Sequence, residues 1–203
     1  MTHRLNPIRS VAVFCGSRRG NHPAFVESAE ELGRELAEAG IRLVYGGGQI
    51  GLMGVLADAV LAGGGRVLGV IPDFLRRLEV AHAGVTEMVV TDSMHMRKQR
   101  MCDEADAFVT LPGGLGTYDE TIEIITWRQL RLHHKPILIC NIAGSARPLV
   151  AAIEAVIEMG FAAPSARELY EVLDGVEAVM DRLRTLAEPG PEAGHPPDAI
   201  HLT

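Results

Sequence analysis

The sequence has few cysteines and no long apolar run. Its three cysteines, Cys15, Cys102 and Cys140, form no CxxC pair and no zinc-binding spacing, so neither a disulfide framework nor a zinc finger is expected. No stretch of about 18 apolar residues is present, and no membrane-spanning helix is expected. The first ten residues contain no apolar segment typical of a signal peptide. We therefore expect a cytoplasmic protein with free thiols.

Positive charge is also scarce. The chain has 19 Lys and Arg against 26 Asp and Glu, a formal net charge of −7, with no basic stripe. Nucleic acids and membranes are therefore not expected partners, whereas a small anion can still bind where the charge is locally positive. No cluster with metal-ligand spacing occurs, so no metal is predicted. No Ser-His-Asp pattern occurs, so a serine hydrolase is not expected.

Short apolar runs alternate with segments of helical period. Strands are predicted at residues 11–15, 41–45, 67–71, 87–91, 107–111, 136–141 and about 170–173, with helices in most of the intervals and after the last strand. Residues 73–86 are predicted to be irregular. The pattern predicts an α/β fold, a single-domain, doubly wound parallel sheet (Rossmann-like) with helices on both faces, over residues 1–187. The tail 188–203 is rich in Pro and Gly and is predicted to be disordered.

Glycine is abundant, with 22 residues, and it clusters in two loops. Gly46, Gly48 and Gly51 match G-x-G-x-x-G between a predicted strand and a predicted helix, a context typical of phosphate binding. A tight turn that needs bare backbone is the structural alternative. Asp73, which follows the third strand, keeps a nicotinamide-binding module open as a further interpretation.

The second glycine loop, residues 112–117 with the sequence PGGLGT, also lies between a strand and a helix. Backbone N–H groups of bare glycines can approach an anion there, and the Thr117 hydroxyl can donate as well. Two such loops at carboxyl ends of strands predict one crevice at the switch point of the sheet.

Two cationic residues lie in the first half of the helix predicted at residues 93–104, where the helix dipole disfavours positive charge. Arg97 and Lys98 lie in its first half, whereas Asp103 and Glu104 lie at its end. This order opposes the helix dipole, which favours acidic groups at the start of a helix. An anionic ligand is one explanation for the order, and a solvated, ion-paired helix face is the other.

Glu120 and Glu123 lie one helical turn apart beside the second glycine loop. Thr117 and Glu120 match a capping box, which would make Glu120 structural. Glu120 is also placed to act as a carboxylate at the margin of a dry site, and Thr126 extends the same polar line. His133 and His134 are expected to end this helix in solvent.

With both loops and the charged helix in view, the sequence resembles the LONELY GUY family of cytokinin-activating enzymes, which are nucleoside 5′-monophosphate phosphoribohydrolases. Three stretches carry the resemblance, in order: residues 46–54 (GGGQIGLMG), residues 94–98 (MHMRK) and residues 112–117 with Glu120. The resemblance spans about residues 9–185. Ser93, Leu115 and Asp119 stand where the family usually has Asp, Tyr and Glu.

The resemblance implies Arg97 and Glu120 as the catalytic pair, no cofactor, and a homodimer. It implies cleavage of the N-glycosidic bond in cytokinin riboside 5′-monophosphates, AMP or both. The expected substrate contacts are Ser17, Gly47, Gly48, Gly51, Glu79, Arg97, Lys98, Gly113, Gly114, Leu115, Gly116, Thr117, Tyr118, Asp119, Glu123 and Thr126.

In this interpretation Glu120 stabilises positive charge that develops on the ribose, and activation of the attacking water is a second possible role. Two other interpretations remain open at this point. One is a nucleotide or cofactor carrier without catalytic activity on the same fold. The other is the nicotinamide-binding module that would depend on Asp73.

Overall fold

The computed structural model of the protein describes residues 8–76 and 80–187. The predicted tail 188–203 and the predicted substrate contact Glu79 lie outside these residues. In the described part of the chain, no helix is both long enough and apolar enough to cross a membrane.

In the part of the chain that the structure describes, seven parallel strands form one sheet. In chain order they are β1 (Ser10–Phe14), β2 (Arg42–Tyr45), β3 (Val67–Pro72), β4 (Glu87–Thr91), β5 (Ala107–Thr110), β6 (Ile137–Asn141) and β7 (Glu171–Asp174). Their order in the sheet is β4-β3-β2-β1-β5-β6-β7. The chain winds outward from β1 in one direction and then returns to place β5 on the other side of β1. The carboxyl ends of β1 and β5 therefore mark the switch point, where such sheets bind ligands.

Within residues 8–76 and 80–187, six α-helices cover the sheet: α1 (Pro23–Glu38), α2 (Gly51–Ala62), α3 (Met94–Glu104), α4 (Leu115–Gln129), α5 (Arg147–Glu158) and α6 (Gly175–Ala187). Short 3-10 turns occupy Asp73–Leu75 and Pro164–Leu169. The boundaries agree with the sequence pattern where strong signals exist. Pro23 lies in the first turn of α1, and Gly40 follows its end with a φ of 67°, as expected for a helix stop.

The core consists of two apolar layers, one on each face of the sheet. Val11 and Val13 of β1 pack with α1, α2 and α6, whereas Ala12 and Phe14 pack with α3, α4 and α5. This alternation follows from the two-residue period of a strand. Because both faces are covered in the middle of the sheet, β1, β3 and β5 are buried at every position, as central parallel strands usually are. The structure confirms the predicted doubly wound α/β fold.

The prediction that His133 ends a helix in solvent is wrong. His133 is 8% exposed, and its Nε2 lies 2.9 Å from the carbonyl oxygen of Ile124. The Lys135 N–H donates to Nδ1 at 3.2 Å, so Nε2 carries the proton that binds Ile124. Burial lowers the pKa of His133, and it does so despite the bond to Ile124. The imidazole is thus a neutral support for α4, packed beside Phe108.

Candidate active site

A cavity of about 730 Å³ lies at the switch point. Its size is in the range of small-molecule sites, roughly 300–1,000 Å³. The β1–α1 loop (residues 15–22) forms one wall, and the β5–α4 glycine segment (residues 112–117) forms another. Arg97 and Glu120 also line the cavity. The structure therefore brings the predicted catalytic pair to the place where the topology predicts a ligand.

Arg97 is held by α3 with only 4% of its surface exposed. The Ser93 hydroxyl accepts a hydrogen bond from the Met96 N–H at 3.2 Å and so caps this helix. Nη2 of Arg97 donates to the Gly46 carbonyl at 3.2 Å. The side chain is buried, so the interpretation of α3 as a solvated charged face does not apply to Arg97. Its charge faces the cavity.

Glu120 projects from α4 and is 9% exposed. The capping-box interpretation of this residue is wrong, because α4 begins at Leu115 and its N-cap is Gly114. Thr117 is the third residue of the helix, and its carbonyl accepts a hydrogen bond from the Thr121 hydroxyl at 2.7 Å. The Glu120 carboxylate lies one turn further along the helix, where it cannot reach back to the cap. Its position is explained by the cavity and by Arg97.

Arg97 and Glu120 form an ion pair across the cavity floor. Nη2 of Arg97 lies 3.8 Å from Oε1 of Glu120, a separation longer than a hydrogen bond. In a buried site such charges interact more strongly than they would in water. Cys15, at the end of β1, lines the same cavity. Burial raises the pKa of its thiol, and the negative charge of Glu120 raises it further, so Cys15 is neutral and a poor nucleophile.

The β5–α4 glycine segment opens toward the cavity. A side chain added at Gly114 or Gly116 would meet no neighbouring atom within 4 Å. Among the residues that the structure describes, no side chain caps the N-terminus of α4. By contrast, a Cβ at position 113 would overlap Thr117, so this one glycine is required by packing. The residues that begin α4 are thus exposed at the positive end of a helix dipole, where anions bind well.

The β2–α2 glycine segment (residues 46–51) is packed against the protein itself. A Cβ at Gly46 would overlap the guanidinium of Arg97, and one at Gly51 would overlap the backbone of Ser17 and Arg18. The Gln49 N–H donates to the Val80 carbonyl at 2.8 Å. The Leu52 N–H at the start of α2 donates to the Gly16 carbonyl at 2.9 Å. Two amides that an anion could use here, those of Gln49 and Leu52, are therefore already bound.

Lys98 lies beside the site without lining the cavity. Its Nζ is 2.7 Å from Oδ2 of Asp119 and 3.1 Å from Oε2 of Glu123. Burial lowers the pKa of Lys98, but the hydrogen bonds to the two carboxylates outweigh burial and leave the pKa raised. Lys98 is thus a fixed cation that offsets the charge of Asp119 at the cavity wall.

The predicted site residues divide into two groups. Those that line the cavity are Ser17, Arg97, Gly113, Gly114, Leu115, Gly116, Thr117, Asp119 and Glu120. Those that the structure places elsewhere are Gly47, Gly48, Gly51, Lys98, Tyr118, Glu123 and Thr126. Thr126, for example, is exposed and donates its hydroxyl proton to the Ile122 carbonyl at 2.8 Å. The β5–α4 glycine segment thus lines the cavity. The β2–α2 glycine segment does not line the cavity but packs against Arg97, which does.

Sequence reasoning missed several residues of the cavity wall: Arg18, Arg19, Gly20, Phe25, Leu52, Met53, Leu75, Met94 and Ser145. A signal existed for the first two, since Gly16-Ser17-Arg18-Arg19-Gly20 directly follows the first strand. A cationic loop after the strand at the switch point faces the ligand by topology. Leu75 and Ser145 carried no comparable signal. Among the described residues, no three His, Cys, Asp or Glu side chains cluster in a way that suits a metal ion.

Comparison with known proteins identifies the family of the chain. Residues 53–183 match the model of a family described as possible lysine decarboxylase. The probable cytokinin riboside 5′-monophosphate phosphoribohydrolase LOGL3 of Oryza sativa subsp. japonica is 43% identical over 175 residues, which cover 86% of this chain and 83% of that protein. The cytokinin riboside 5′-monophosphate phosphoribohydrolase LOG7 of Arabidopsis thaliana is 42% identical over 193 residues, covering 90% of this chain and 89% of LOG7.

A solved structure with the same fold is more distant in sequence. The molybdenum cofactor carrier protein of Chlamydomonas reinhardtii superposes with a TM-score of 0.67 at 19% identity, covering 89% of this chain and 98% of the carrier. At this identity the likeness concerns the fold alone. The sequence relatives are far closer and match nearly from end to end, so the chain belongs to the LONELY GUY family of cytokinin riboside 5′-monophosphate phosphoribohydrolases.

Proposed function

We propose that the protein hydrolyses the N-glycosidic bond of nucleoside 5′-monophosphates. The substrates are cytokinin riboside 5′-monophosphates, AMP or both, and the products are the free base and ribose 5-phosphate. One observation carries the proposal: Arg97 and Glu120 face each other at 3.8 Å across the floor of the cavity, beside the open N-terminus of α4. Relatives at 42–43% identity bear the name of this activity.

The 5′-phosphate is proposed to bind at the start of α4. The amides of Gly114, Leu115 and Gly116 supply donors on bare or exposed backbone, and the helix dipole adds positive potential. Binding energy from this remote group fixes the ribose against the floor of the cavity. The reacting carbon then lies near Glu120 without any covalent tether.

Bond cleavage passes through a state in which positive charge develops on the ribose. The carboxylate of Glu120 stabilises that charge selectively, because the charge is absent from the bound substrate. The bond between C1′ and the base breaks, its electron pair leaves with the base, and water adds to C1′. The base takes up one proton as it leaves, and the water that adds to C1′ gives up one proton, so the hydrolysis has no net change in protons. Arg97 orients the ribosyl phosphate and opposes negative charge on the leaving side.

The description of the matched family as possible lysine decarboxylases receives no support from the site. The sequence contains two lysines, Lys98 and Lys135, and neither lines the cavity. The pKa of Lys98 is raised, with hydrogen bonds to Asp119 and Glu123 outweighing burial, whereas a Schiff base needs a neutral amine. Lys135 donates to the Cys102 carbonyl at 2.6 Å. Neither lysine is therefore placed for imine chemistry.

The nicotinamide interpretation is not supported either. Asp73 pairs with Arg76 at 3.1 Å, and both side chains are exposed. Asp73 is not part of the cavity wall. The G-x-G-x-x-G motif follows β2, whereas the switch point lies between β1 and β5, so a dinucleotide phosphate would have no crevice there.

We also propose that the protein is a homodimer and that it is located in the cytoplasm. Leu130 and Leu132, at the end of α4, are 63% and 69% exposed. Adjacent apolar side chains on a surface favour a protein contact. The three cysteines are free thiols, which suits a reducing compartment. Light scattering on the purified protein tests the dimer, and cell fractionation tests the location.

The activity itself is tested by incubating the protein with AMP and with isopentenyladenosine 5′-monophosphate. We expect free base and ribose 5-phosphate in equal amounts. Adenosine, which lacks the phosphate, is expected to be a much poorer substrate. Nucleotide that binds but is recovered intact would show a carrier instead of an enzyme.

A further inference from the structure

We propose that Arg18 and Arg19 bind the substrate's 5′-phosphate from the β1–α1 loop and set the site's requirement for a phosphorylated substrate. This inference rests on the proposed function, because it specifies how that same site selects its ligand. The two arginines line the cavity together with the β5–α4 glycine segment. They were not among the site residues that the sequence motifs predicted.

The charges of the cavity wall point to these two residues. Arg97 faces Glu120, and Asp119 is paired with Lys98. Arg18 and Arg19 are exposed, and in residues 8–76 and 80–187 neither forms an ion pair. The positive charge on the wall that is not offset by a neighbour is therefore theirs. On a chain with a net charge of −7, such a local excess of positive charge attracts an anion.

The backbone beneath the two arginines is held in place. The Gly16 N–H donates to the Pro112 carbonyl at 3.0 Å, and the Gly16 carbonyl accepts from the Leu52 N–H at 2.9 Å. Gly51 packs directly against the backbone of Ser17 and Arg18. The loop is thus bonded to the β5–α4 segment on one side and to α2 on the other.

The far end of the loop is fixed as well. Gly20 has a φ of 73°, and Phe25 packs against it so closely that no side chain fits. Two long cationic side chains therefore stand on a fixed frame that is joined to the proposed phosphate site. A frame of this kind reduces the ordering cost of binding, and guanidinium groups suit phosphate oxygens.

The two arginines are not equivalent. Arg19 lines both the cavity and a second groove, between α1 and α2, which Arg34 also lines. Arg18 lines the cavity but not that groove. We therefore expect Arg18 to contribute more than Arg19. Arg34 is a matched control, because it is exposed on α1 and lies outside the cavity wall.

The experiment measures AMP and adenosine binding by calorimetry for the wild-type loop, Arg18→Gln, Arg19→Gln, the double variant and Arg34→Gln, each in a protein that also carries Glu120→Gln so that AMP is not consumed during the titration. The double variant is expected to bind AMP about 10- to 100-fold more weakly, the range for losing a charge-assisted hydrogen bond. Adenosine binding should not change. The AMP affinity of the double variant should also depend less on salt than that of the wild type. Arg34→Gln should bind AMP as the wild type does.

Kinetics and a conservative replacement complete the test. The double variant should show a raised KM for AMP with kcat nearly unchanged, as expected when uniform binding is lost. Arg18→Lys with Arg19→Lys should restore most of the affinity, since the charge returns. Equal losses for AMP and adenosine would show loop damage and overturn the inference, as would wild-type AMP affinity in a folded double variant. If the wild type binds AMP through these arginines but releases no base, the inference stands and the proposed activity fails.

Discussion

The two glycine segments resemble each other in sequence and differ in what approaches their backbone. In the β2–α2 segment the neighbours are protein atoms: Arg97 lies against Gly46, and the backbone of Ser17 and Arg18 lies against Gly51. In the β5–α4 segment Gly114 and Gly116 face open space within a cavity. A glycine motif thus marks where bare backbone is needed, while topology decides whether protein or ligand takes the space.

The difference follows from the position of each segment in the sheet. The β2–α2 segment leaves a strand on one side of the switch point, whereas the β5–α4 segment leaves a strand that forms it. The first segment nevertheless serves the site, because the Gly46 carbonyl accepts a hydrogen bond from Arg97. It positions a side chain, and the second segment is proposed to hold the substrate.

The largest effect is expected from Glu120→Gln, on the helix that follows the β5–α4 segment. The substitution removes a charge where positive charge develops, so turnover of AMP should fall roughly 10²–10³-fold. AMP affinity should change much less, because the interaction belongs to the transition state. Steady-state kinetics and calorimetry check both.

Glu123→Gln is the matched control for Glu120→Gln, since Glu123 lies one turn further along α4, binds Lys98 at 3.1 Å and does not line the cavity. Its turnover should stay near that of the wild type. A folded Glu120→Gln variant with wild-type turnover would reject the catalytic role.

In the β2–α2 segment, which packs against protein atoms, Gly51→Ala should destabilise the fold. Gly51 has a φ of 67°, and an added Cβ would overlap the backbone of Ser17 and Arg18. The left-handed backbone costs ~1–2 kcal/mol for a residue with a side chain, and overpacking adds ~1–3 kcal/mol. Urea denaturation measures the loss in the free energy of unfolding.

Gly40→Ala separates the two contributions, because Gly40 has the same φ of 67° but no atom within 4 Å of the added Cβ. It should lose only the smaller, conformational part. Equal losses in the two variants would show that the packing of the β2–α2 segment contributes nothing.

Gly116→Ala should instead weaken AMP binding without lowering stability. Gly116 lies in the first turn of α4 with open space around it, so alanine should leave the free energy of unfolding unchanged or raise it by about 0.5–1 kcal/mol. AMP affinity should fall about tenfold, since the methyl group occupies space at the proposed phosphate site. Unchanged AMP affinity, measured by calorimetry, would place the phosphate elsewhere.

The fold was predictable because several local signals agree. Pro23 and Gly40 bound α1, and the seven apolar runs correspond to the seven strands within about a residue or two. The order of the strands in the sheet, and therefore the switch point, depends on contacts between distant segments. For this reason the sequence motif alone predicts a ligand contact at residues 46–51, which the structure places outside the cavity wall.

The site was predictable where a residue type and its position agreed. Arg97 and Glu120 stood out in sequence, and both reach the cavity floor. Lys98 stood out equally, yet it pairs with Asp119 and Glu123, because one residue along a helix turns a side chain by about 100°. The prediction of a solvent-exposed His133 is wrong because the imidazole binds the carbonyl of Ile124, nine residues earlier in the chain and on α4.

The smallest effect concerns the far end of α4 and depends on pH. Burial lowers the pKa of His133 in the folded protein, so the unfolded chain binds more protons once the pH falls below about 6.5. The stability due to His133 is therefore present above that pH and is lost below it, by at most ~1.4 kcal/mol per pH unit. Urea denaturation at pH 7 and pH 5 should give a smaller difference for His133→Asn than for the wild type. Equal differences would contradict the neutral, buried imidazole.

The most direct test of the contrast between the two segments is an NMR titration of the Glu120→Gln variant with AMP, in which the nucleotide is not consumed at an appreciable rate. Amide signals report which backbone meets the phosphate. The account predicts large shifts at Gly114, Leu115 and Gly116 and small ones over residues 46–51. Shifts concentrated in residues 46–51, with the β5–α4 segment unchanged, would contradict it.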